Sequence, residues 1–422
     1  TLPVTLGPLL PEGHGIPTLN SGRLRYGHPE EVGMNPDFIN RLEAEVERSI
    51  QAEETPGAQV LVARRGVVVY HRAFGRPTYG SRDHVQVDQL YDIASITKIS
   101  ASLPLIMRMY NEGRLNLDDE LGDHLPEAVG TNKEHLKLID ILTHQSGLQA
   151  WIPFYTKTMS NSRPDPAIYR TTPEGDFKLQ VANDLYMNVN YVDTIYKEIL
   201  ESPITGVGDY RYSDLGYYFF KRIIEETYKA PLEDLIQETV YQRLGAWSMG
   251  YHPLERFSRD QIIPTEQDRY FRYQLVHGYV HDQGAAMMGG VGGHAGVFAN
   301  ANDLAKLMQM YLDGGTYGGE AFFRPETIEQ FTKCPYCINE NRRGIGFDKP
   351  QLEGAGPACD CASPRSFGHT GFTGTIAWVD PDQELVYIFL SNRVNPSAEN
   401  RKLIRSNVRT NIQEYLYDSL EE

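Results

Sequence analysis

The sequence predicts an α+β fold, and this prediction rests on where its strand-like and helix-like segments fall. Pairs of β-branched runs lie near opposite ends of the chain, at residues 57–75 and 373–392. The segments between them show mostly the spacing of apolar residues that is typical of helices. We therefore expect an antiparallel sheet built from both chain ends and flanked by helices, with a mostly helical region inserted and a cleft between the two parts.

The same order of segments gives boundaries for the parts of the fold. Residues 1–35 are rich in proline and glycine and are expected to form an N-terminal arm. Residues 36–94 and 296–422 would form the sheet domain, and residues 95–295 the mostly helical region. Within that region, residues 155–195 are polar with few periodic apolar positions, which is typical of a long insertion or lid.

Three elements can be placed from local signals. Asn35 and Pro36 fit the cap and first position of a helix that ends near residue 51. Arg65-Gly66 fits the two-residue turn of a hairpin between the first two strands. The last segment, residues 400–420, has apolar residues along one side and is expected to be an amphipathic helix.

The composition excludes some classes of partner. The chain has 40 Lys and Arg against 56 Asp and Glu, a formal charge of −16, so we expect no binding to nucleic acid or anionic membranes. No apolar run approaches the roughly 20 residues that span a bilayer, so no transmembrane segment is expected. The sequence starts without a secretion signal and without Met, which leaves secretion open.

Four cysteines lie in two close pairs: Cys334, Cys337, Cys359 and Cys361. Disulfides would suit an oxidising compartment, and a zinc site of four thiolates or free thiols are the alternatives. A bridge within a Cys-x-Cys pair is cramped, so disulfides are expected to connect one pair with the other. In each case we expect a structural role.

The stretch YDIASITKISASLPLIMRMYNEGRL places Ser95 three residues before Lys98 among apolar residues. On a helix these two residues lie on one face and can touch. A serine hydroxyl needs a base to become a good nucleophile, and burial can lower the pKa of a lysine enough for that role. The alternative is a helix start in which Ser95 is the cap and Lys98 reaches solvent.

Two later segments can complete such a site. In GDYRYSDLGYYFF, Tyr212 and Asp214 can project the same way from a predicted loop, with capping of the next helix as the alternative. In SFGHTGFTGT, His369 and Thr370 precede Gly371, which lets a substrate approach the backbone. The alternative for this second segment is a bulge at a sheet edge.

Other patterns point less clearly to chemistry. His277 and His281 have the spacing of metal ligands only on a helix, and no Glu follows the first histidine, so no metal site is expected. His294 lies in a glycine-rich run and is expected to be structural, with lining of the cleft as the alternative. The aromatic run Trp151, Phe154 and Tyr155 either walls the cleft or belongs to the core.

The order SITK, YSD, HTG resembles the serine β-lactamase and penicillin-binding-protein superfamily, whose motifs are S-x-x-K, an S-D-N-type element and K-T-G. A middle motif that begins with tyrosine is similar to the class C, D,D-peptidase and esterase branch. VHDQGAAMMGG, GGVGGHAGVFANANDLAKLM and SPRSFGHTGFTGT look most like exo-acting N-acetylmuramoyl-L-alanine amidases and related penicillin-binding proteins. The resemblance covers nearly the whole chain and implies a β-lactamase-like fold.

The resemblance also implies roles for the matched residues. Ser95 would be the acylated nucleophile, Lys98 would ease its deprotonation, and Tyr212 would act as general base and then as acid to the leaving amine. The backbone N–H groups of Ser95 and Phe372 would form the oxyanion hole. The substrate-binding and oxyanion side of the site would comprise Asp214, His369, Thr370, Gly371 and Phe372.

Two departures from the family pattern affect the expected substrate. Asp214 stands where Asn is more usual, so a hydrogen-bond donor to the substrate becomes an acceptor. His369 stands where many relatives have Lys, which makes the charge pH-sensitive. If His369 binds an anionic group, KM should rise above its pKa. Both changes weaken the case for an efficient β-lactamase.

The predicted function is therefore a serine acyl hydrolase without metal or cofactor, and the resemblance favours the muramoyl-L-alanine amide of peptidoglycan fragments. The alternatives are a D-alanyl-D-alanine carboxypeptidase, a class C-like β-lactamase or esterase, and a non-catalytic ligand-sensing relative. The partner would be a small molecule or peptide from the bacterial cell wall. The resemblance also suggests an association with a β-N-acetylglucosaminidase and an extracytoplasmic location, either periplasmic or secreted.

Overall fold

The computed structural model describes residues 22–354 and 356–421, so most of the predicted N-terminal arm lies outside the described residues. Its three longest strands, of seven to nine residues, belong to one central sheet. In chain order the described strands are Arg25–Tyr26 (β1), Gly57–Arg64 (β2), Val67–Gly75 (β3), Tyr91–Asp92 (β4), Met159–Ser160 (β5), Arg163–Pro164 (β6), Tyr169–Arg170 (β7), Phe177–Ala182 (β8), Leu185–Asn188 (β9), Phe298–Ala299 (β10), Thr316–Tyr317 (β11), Glu320–Ala321 (β12), Phe367–Thr370 (β13), Ile376–Asp380 (β14) and Leu385–Ser391 (β15).

The central sheet joins the two ends of the chain, as predicted. Its six strands lie in the order β1-β3-β2-β15-β14-β13. All neighbours are antiparallel except β1 and β3, and β2 pairs with β15 along seven residue pairs. Both predicted hairpins form, and the first turns at Arg65 and Gly66, which have positive φ as a two-residue hairpin turn requires.

Helices cover both faces of this sheet. They are Phe38–Gln51 (α1), Leu103–Asn111 (α2), Leu121–His124 (α3), Leu138–Leu142 (α4), Tyr191–Glu201 (α5), Leu215–Tyr228 (α6), Leu232–Ile236 (α7), Gln242–Leu244 (α8), Gln283–Met287 (α9), Ala301–Leu312 (α10), Pro325–Thr332 (α11), Lys402–Arg405 (α12) and Val408–Asp418 (α13). Within the described part of the chain, no helix combines the length and apolar character that a bilayer crossing needs.

The alternating side chains of β2 explain why both faces are covered. Every residue of this central strand is buried. Val60 and Val62 belong to the core shared with α1 and α13, whereas Leu61 and Ala63 belong to the core shared with α10 and the helical region. Because successive strand residues point to opposite faces, one strand contributes to two cores.

Two helix boundaries differ from the prediction. The first helix starts at Phe38, because Asn35 accepts a hydrogen bond from the backbone N–H of Asp37 (2.9 Å) and holds a turn before it. The final segment is two helices, since Asn407 adopts a left-handed conformation with φ of 59° and interrupts the helical ladder. Residues 155–195 contain β5–β9, including the three-stranded sheet β7-β9-β8, which explains their lack of helical periodicity.

The cysteine prediction was wrong in its pairing. Cys334 bonds Cys337 and Cys359 bonds Cys361, so each disulfide lies within a close pair and not between pairs. The Cα atoms are 5.5 Å and 5.2 Å apart, inside the range that a disulfide bridges. All four thiols are used in this way, which leaves none for the alternative zinc site.

Candidate active site

Ser95 and Lys98 lie on a tight turn that leads from β4 into α2. Residues Ala94–Ile96 form a 3₁₀ turn and Lys98–Ser102 a short π-helical segment. Asp92 fixes the start of the turn by accepting a hydrogen bond from the N–H of Ala94 (2.8 Å), whose φ is +48°. Ser95 lies in the first of these segments and Lys98 begins the second, and the Lys98 Nζ donates to the Ser95 Oγ at 3.0 Å.

Lys98 is completely buried and fully paired. Its side chain is 0% exposed, which excludes the alternative in which it reaches solvent. Nζ forms an ion pair of 2.6 Å with Asp214 and donates to the backbone carbonyl of His294 at 3.3 Å. The rings of Tyr212 and Tyr217 lie 5.0 Å and 5.4 Å from Nζ and cover the remaining sides. The desolvation cost of the ammonium is thus offset by one carboxylate and two oxygen acceptors.

Tyr212 lies on the other side of Ser95. The Ser95 side chain lies near enough to the Tyr212 hydroxyl to lower the pKa of the phenol, against the larger effect of burial, and the Tyr212 ring packs 4.5 Å from the ring of His144. The loop that carries it is held at Ser213, whose N–H donates to Nδ1 of His144 (3.2 Å). Burial raises the pKa of Tyr212 well above 10, helped by the charge of Asp214, so the phenol is neutral at pH 7 and can donate a proton.

The segment after β13 lies against the same turn. Thr373 donates to the carbonyl of Asp92 (2.9 Å), and Gly371 approaches the backbone of Ile93 so closely that an added Cβ would lie 2.6 Å from its carbonyl oxygen. The structure thereby brings the backbone at Phe372 beside the turn that carries Ser95. Two neighbouring backbone N–H groups of this kind can stabilise an oxyanion.

Replacing Gly371 with Ala is expected to lower the rate of Ser95 acylation by about 100-fold or more, because the segment would have to move away from Ser95. The new Cβ would also lie 2.1 Å from Oγ1 of Thr375. Gly80→Ala is the matched control, since no atom lies within 4 Å of its added Cβ. Fluorophosphonate labelling rates for both variants test this, and a wild-type rate for Gly371→Ala would contradict it.

His369 is brought to this site, but with a different charge from the one expected. It is buried on β13, its Nδ1 donates to the carbonyl of Thr370 (2.7 Å), and its Nε2 has no partner among the described residues. Burial lowers the pKa of His369 well below 6.5, and the charges of Arg343 and Lys98 lower it further. The pH-sensitive charge anticipated for this position is therefore absent at neutral pH.

Stability is expected to fall as the pH drops below about 6.5. His144 and His369 are both buried with pKa values well below 6.5. These two side chains therefore stay neutral in the folded protein at a pH where the same histidines bind protons in the unfolded chain. The contribution of these two histidines to the free energy of unfolding should be constant above this pH. Below it, their contribution should decrease by at most about 2.7 kcal/mol per pH unit, for two protons. Urea unfolding between pH 7.5 and 5.5 measures this, and His369→Gln should reduce the slope. Equal stability at the two pH values would contradict the prediction.

Sequence reasoning missed Arg343, a buried cation at this site. Its guanidinium carbon lies 5.9 Å from the ring centroid of Tyr212, and its charge lowers the pKa of both His144 and His369. Asp348 pairs with it at 3.3 Å. Its segment, NRRGIG, is polar and aperiodic, so no local signal predicted that it would be buried beside the motifs.

The histidines weighed as metal ligands have structural partners. His277 contacts the carbonyl of Ile262 (2.7 Å) and His281 contacts Glu266 (3.0 Å), and neither histidine lies on a helix. His294 does line the site, as its carbonyl meets Lys98. In residues 22–354 and 356–421, no group of three or more His, Cys, Asp or Glu side chains is arranged to hold a metal ion.

Comparisons with known proteins identify the family of the chain. Residues 42–410 match the family model Beta-lactamase. The chain is 28% identical over 409 residues to a protein of Escherichia coli K12 named putative D-alanyl-D-alanine carboxypeptidase, covering 90% of this chain and 88% of the relative. A relative of the same name from Salmonella enteritidis PT4 is 28% identical over 408 residues, with the same two coverages.

Solved structures show the same fold. A penicillin-binding protein homologue from Caulobacter crescentus has a TM-score of 0.65 at 20% identity, covering 92% of this chain and 99% of that one. EstCE1, a hydrolase with promiscuous acyltransferase activity, has a TM-score of 0.64 at 16% identity, covering 90% and 98%. The family match spans most of the chain, and the chain therefore belongs to the beta-lactamase family and is a serine hydrolase.

Proposed function

We propose that this protein is a carboxypeptidase that removes the C-terminal residue from D-alanyl-D-alanine peptides of the cell wall. The observation that carries the proposal is the Ser95 Oγ 3.0 Å from the Nζ of the buried Lys98, with the neutral phenol of Tyr212 as a neighbour. This arrangement suits attack on a peptide carbonyl through an acyl-enzyme. The names of the relatives described above favour the D-alanyl-D-alanine bond.

In the proposed reaction the Ser95 oxygen forms a bond to the substrate carbonyl carbon. The charge of Lys98 stabilises the developing serine alkoxide, and the N–H groups of Ser95 and Phe372 stabilise the oxyanion. Tyr212, protonated at neutral pH, donates its proton to the leaving amine as the amide bond breaks, and its oxygen takes up the proton that Ser95 releases, so the phenol is neutral again in the acyl-enzyme. Water then attacks the acyl-Ser95 ester and releases the shortened peptide.

A pair of arginines near Tyr212 supports a substrate whose leaving group carries a free carboxylate. Arg342 and Arg343 share a single carboxylate, that of Asp348, at 2.8 Å and 3.3 Å. One positive charge is therefore left without a matching carboxylate, close to His369 on β13. A terminal D-alanine carries a carboxylate, which this excess positive potential favours.

The muramoyl-L-alanine amidase function remains a second prediction, because the VHDQGAAMMGG and GGVGGHAGVF segments resemble that subgroup and the names of the relatives do not test it. An extracytoplasmic location and an association with a β-N-acetylglucosaminidase likewise stay predictions. They follow from the resemblance to cell-wall enzymes, and the first is consistent with two disulfides.

Product analysis by mass spectrometry separates the candidate functions. The protein is incubated with diacetyl-L-lysyl-D-alanyl-D-alanine and with an N-acetylmuramoyl peptide, using Ser95→Ala as the control. Release of D-alanine supports the carboxypeptidase, whereas release of a peptide that begins with L-alanine supports the amidase. Absence of both products with folded wild-type protein would contradict both and favour the ligand-sensing alternative.

A further inference from the structure

A small cavity lies next to the candidate active site and shares Asp214 with it. Its volume is about 20 Å³, which is room for one water molecule or one ammonium group. Asp214 and Asp282 both line it, and Asp214 is the carboxylate that pairs with Lys98. The aromatic run that begins at Trp151 forms another wall, so these side chains line the site and are not all core.

Each carboxylate accepts hydrogen bonds from the described residues through only one of its two oxygens. Asp214 accepts from Lys98 through Oδ1, and its side chain is 23% exposed. Asp282 accepts through Oδ1 from the N–H of Ala285 (2.7 Å) and from Nε2 of His294 (2.9 Å), and its side chain is 35% exposed. No residue in the described ranges is bonded to Oδ2 of either carboxylate. Two acceptor oxygens are thus available at the cavity.

His294 provides an independent indication that a ligand group belongs there. This side chain is 2% exposed and lines the cavity, yet its Nδ1 has no partner in the part of the chain that the structure describes. Its ring is held by stacking on Tyr218 at 4.6 Å. Buried polar atoms are rarely left without a partner, so a polar group is expected to occupy the space beside it.

The walls favour a cation over a neutral or anionic group. Although burial opposes ionisation, contacts with His294 keep the pKa of Asp282 well below its ordinary value, so this carboxylate is charged at neutral pH. The free Oδ2 atoms of both carboxylates accept hydrogen bonds only, which an ammonium group with its three donors can supply. The aromatic residues Trp151, Tyr155 and Tyr218 also line the cavity, and aromatic rings attract cations.

We propose that this cavity binds an ammonium group on the acyl side of the substrate. Asp214 and Asp282 would then hold the amine of the substrate, whereas Arg342 and Arg343 would attract its carboxylate. A peptide with an amine in its acyl part and a free carboxylate on its leaving group would be aligned across Ser95 by both ends. This inference rests on the proposed carboxypeptidase function for the identity of the leaving group.

The test compares two peptides that differ by one charge. Nα-acetyl-L-lysyl-D-alanyl-D-alanine keeps the lysine ammonium, and the diacetylated peptide lacks it. Their dissociation constants are measured by calorimetry on the Ser95→Ala protein, so that turnover does not interfere. We expect the ammonium peptide to bind about tenfold more tightly, and Asp282→Asn added to this background to remove the preference.

Two further variants guard against a loss of structure. Trp151→Ala alters an exposed wall residue and should reduce the preference without disturbing the core. Asp193→Asn removes an equal charge from a side chain that is 82% exposed on α5 and should leave the preference intact. Loss of the preference in Asp193→Asn would mean that net charge and not the cavity explains it, which would overturn the inference.

Failure of the inference and failure of the proposed function give different results. Equal affinity for the two peptides overturns the inference and leaves the carboxypeptidase proposal intact. If neither peptide binds, the proposed function fails, and n-butylammonium then tests the cavity directly. Binding of n-butylammonium that is lost in Asp282→Asn supports the ammonium site. No binding even at high millimolar concentration means that the cavity holds water only.

Discussion

Replacing Ser95 with alanine is expected to abolish covalent labelling by a fluorophosphonate and to slow hydrolysis by about three orders of magnitude or more. The Ser95 oxygen is the acceptor of the Lys98 hydrogen bond and a neighbour of the Tyr212 hydroxyl, so no neighbouring group can replace it as nucleophile. Intact-protein mass spectrometry should show one adduct on the wild-type protein and none on the variant.

Ser100→Ala is the matched control for this experiment. Ser100 is buried on the same π-helical segment, and its Oγ has no hydrogen-bond partner among the described residues. Its removal should therefore change neither the labelling nor the stability by much. An adduct that persists in Ser95→Ala would mean that another residue is the activated nucleophile. An unlabelled wild-type protein would favour the ligand-sensing alternative.

Features with a local signal were predictable from the sequence. The first hairpin turns at Arg65-Gly66, and the local signal is Gly66, which adopts the left-handed conformation of the turn without steric cost. The spacing of Ser95 and Lys98 likewise predicted their contact. The exact backbone did not follow, since the spacing suggested an α-helix and the structure has a 3₁₀ turn and a π-helical segment.

Features that depend on distant parts of the chain were not predictable in the same way. Asp214 was interpreted as an acceptor for the substrate, and its ion pair with Lys98 spans 116 residues of sequence. Arg343 and Asp282 reach the site through loops that have no periodic pattern. The family resemblance therefore predicted which motif residues belong to the site. The charged residues around them could not be predicted, because tertiary packing brings them there from distant parts of the chain.

Variants of Lys98 and Asp214 are expected to affect catalysis and stability differently. Lys98→Met should lower the labelling rate of Ser95 by about 1,000-fold, because the oxygen loses the charge that stabilises its alkoxide. Its effect on stability should be modest, since Asp214 is 23% exposed and water can reach it. Asp214→Asn should be more damaging to stability, because it leaves the 0% exposed ammonium of Lys98 without a carboxylate.

The double variant tests whether the stability lost in Asp214→Asn is due to the unpaired ammonium of Lys98. Removing one partner of a buried ion pair costs about 3–5 kcal/mol, and replacing both with uncharged groups costs much less. Lys98→Met/Asp214→Asn should therefore recover most of the stability lost in Asp214→Asn while its labelling rate stays as low as that of Lys98→Met. Urea unfolding and fluorophosphonate labelling on the same four proteins measure both quantities. If the double variant regains activity, Lys98 is only a structural counter-ion for Asp214. If it is no more stable than Asp214→Asn, the ammonium of Lys98 does not depend on that carboxylate.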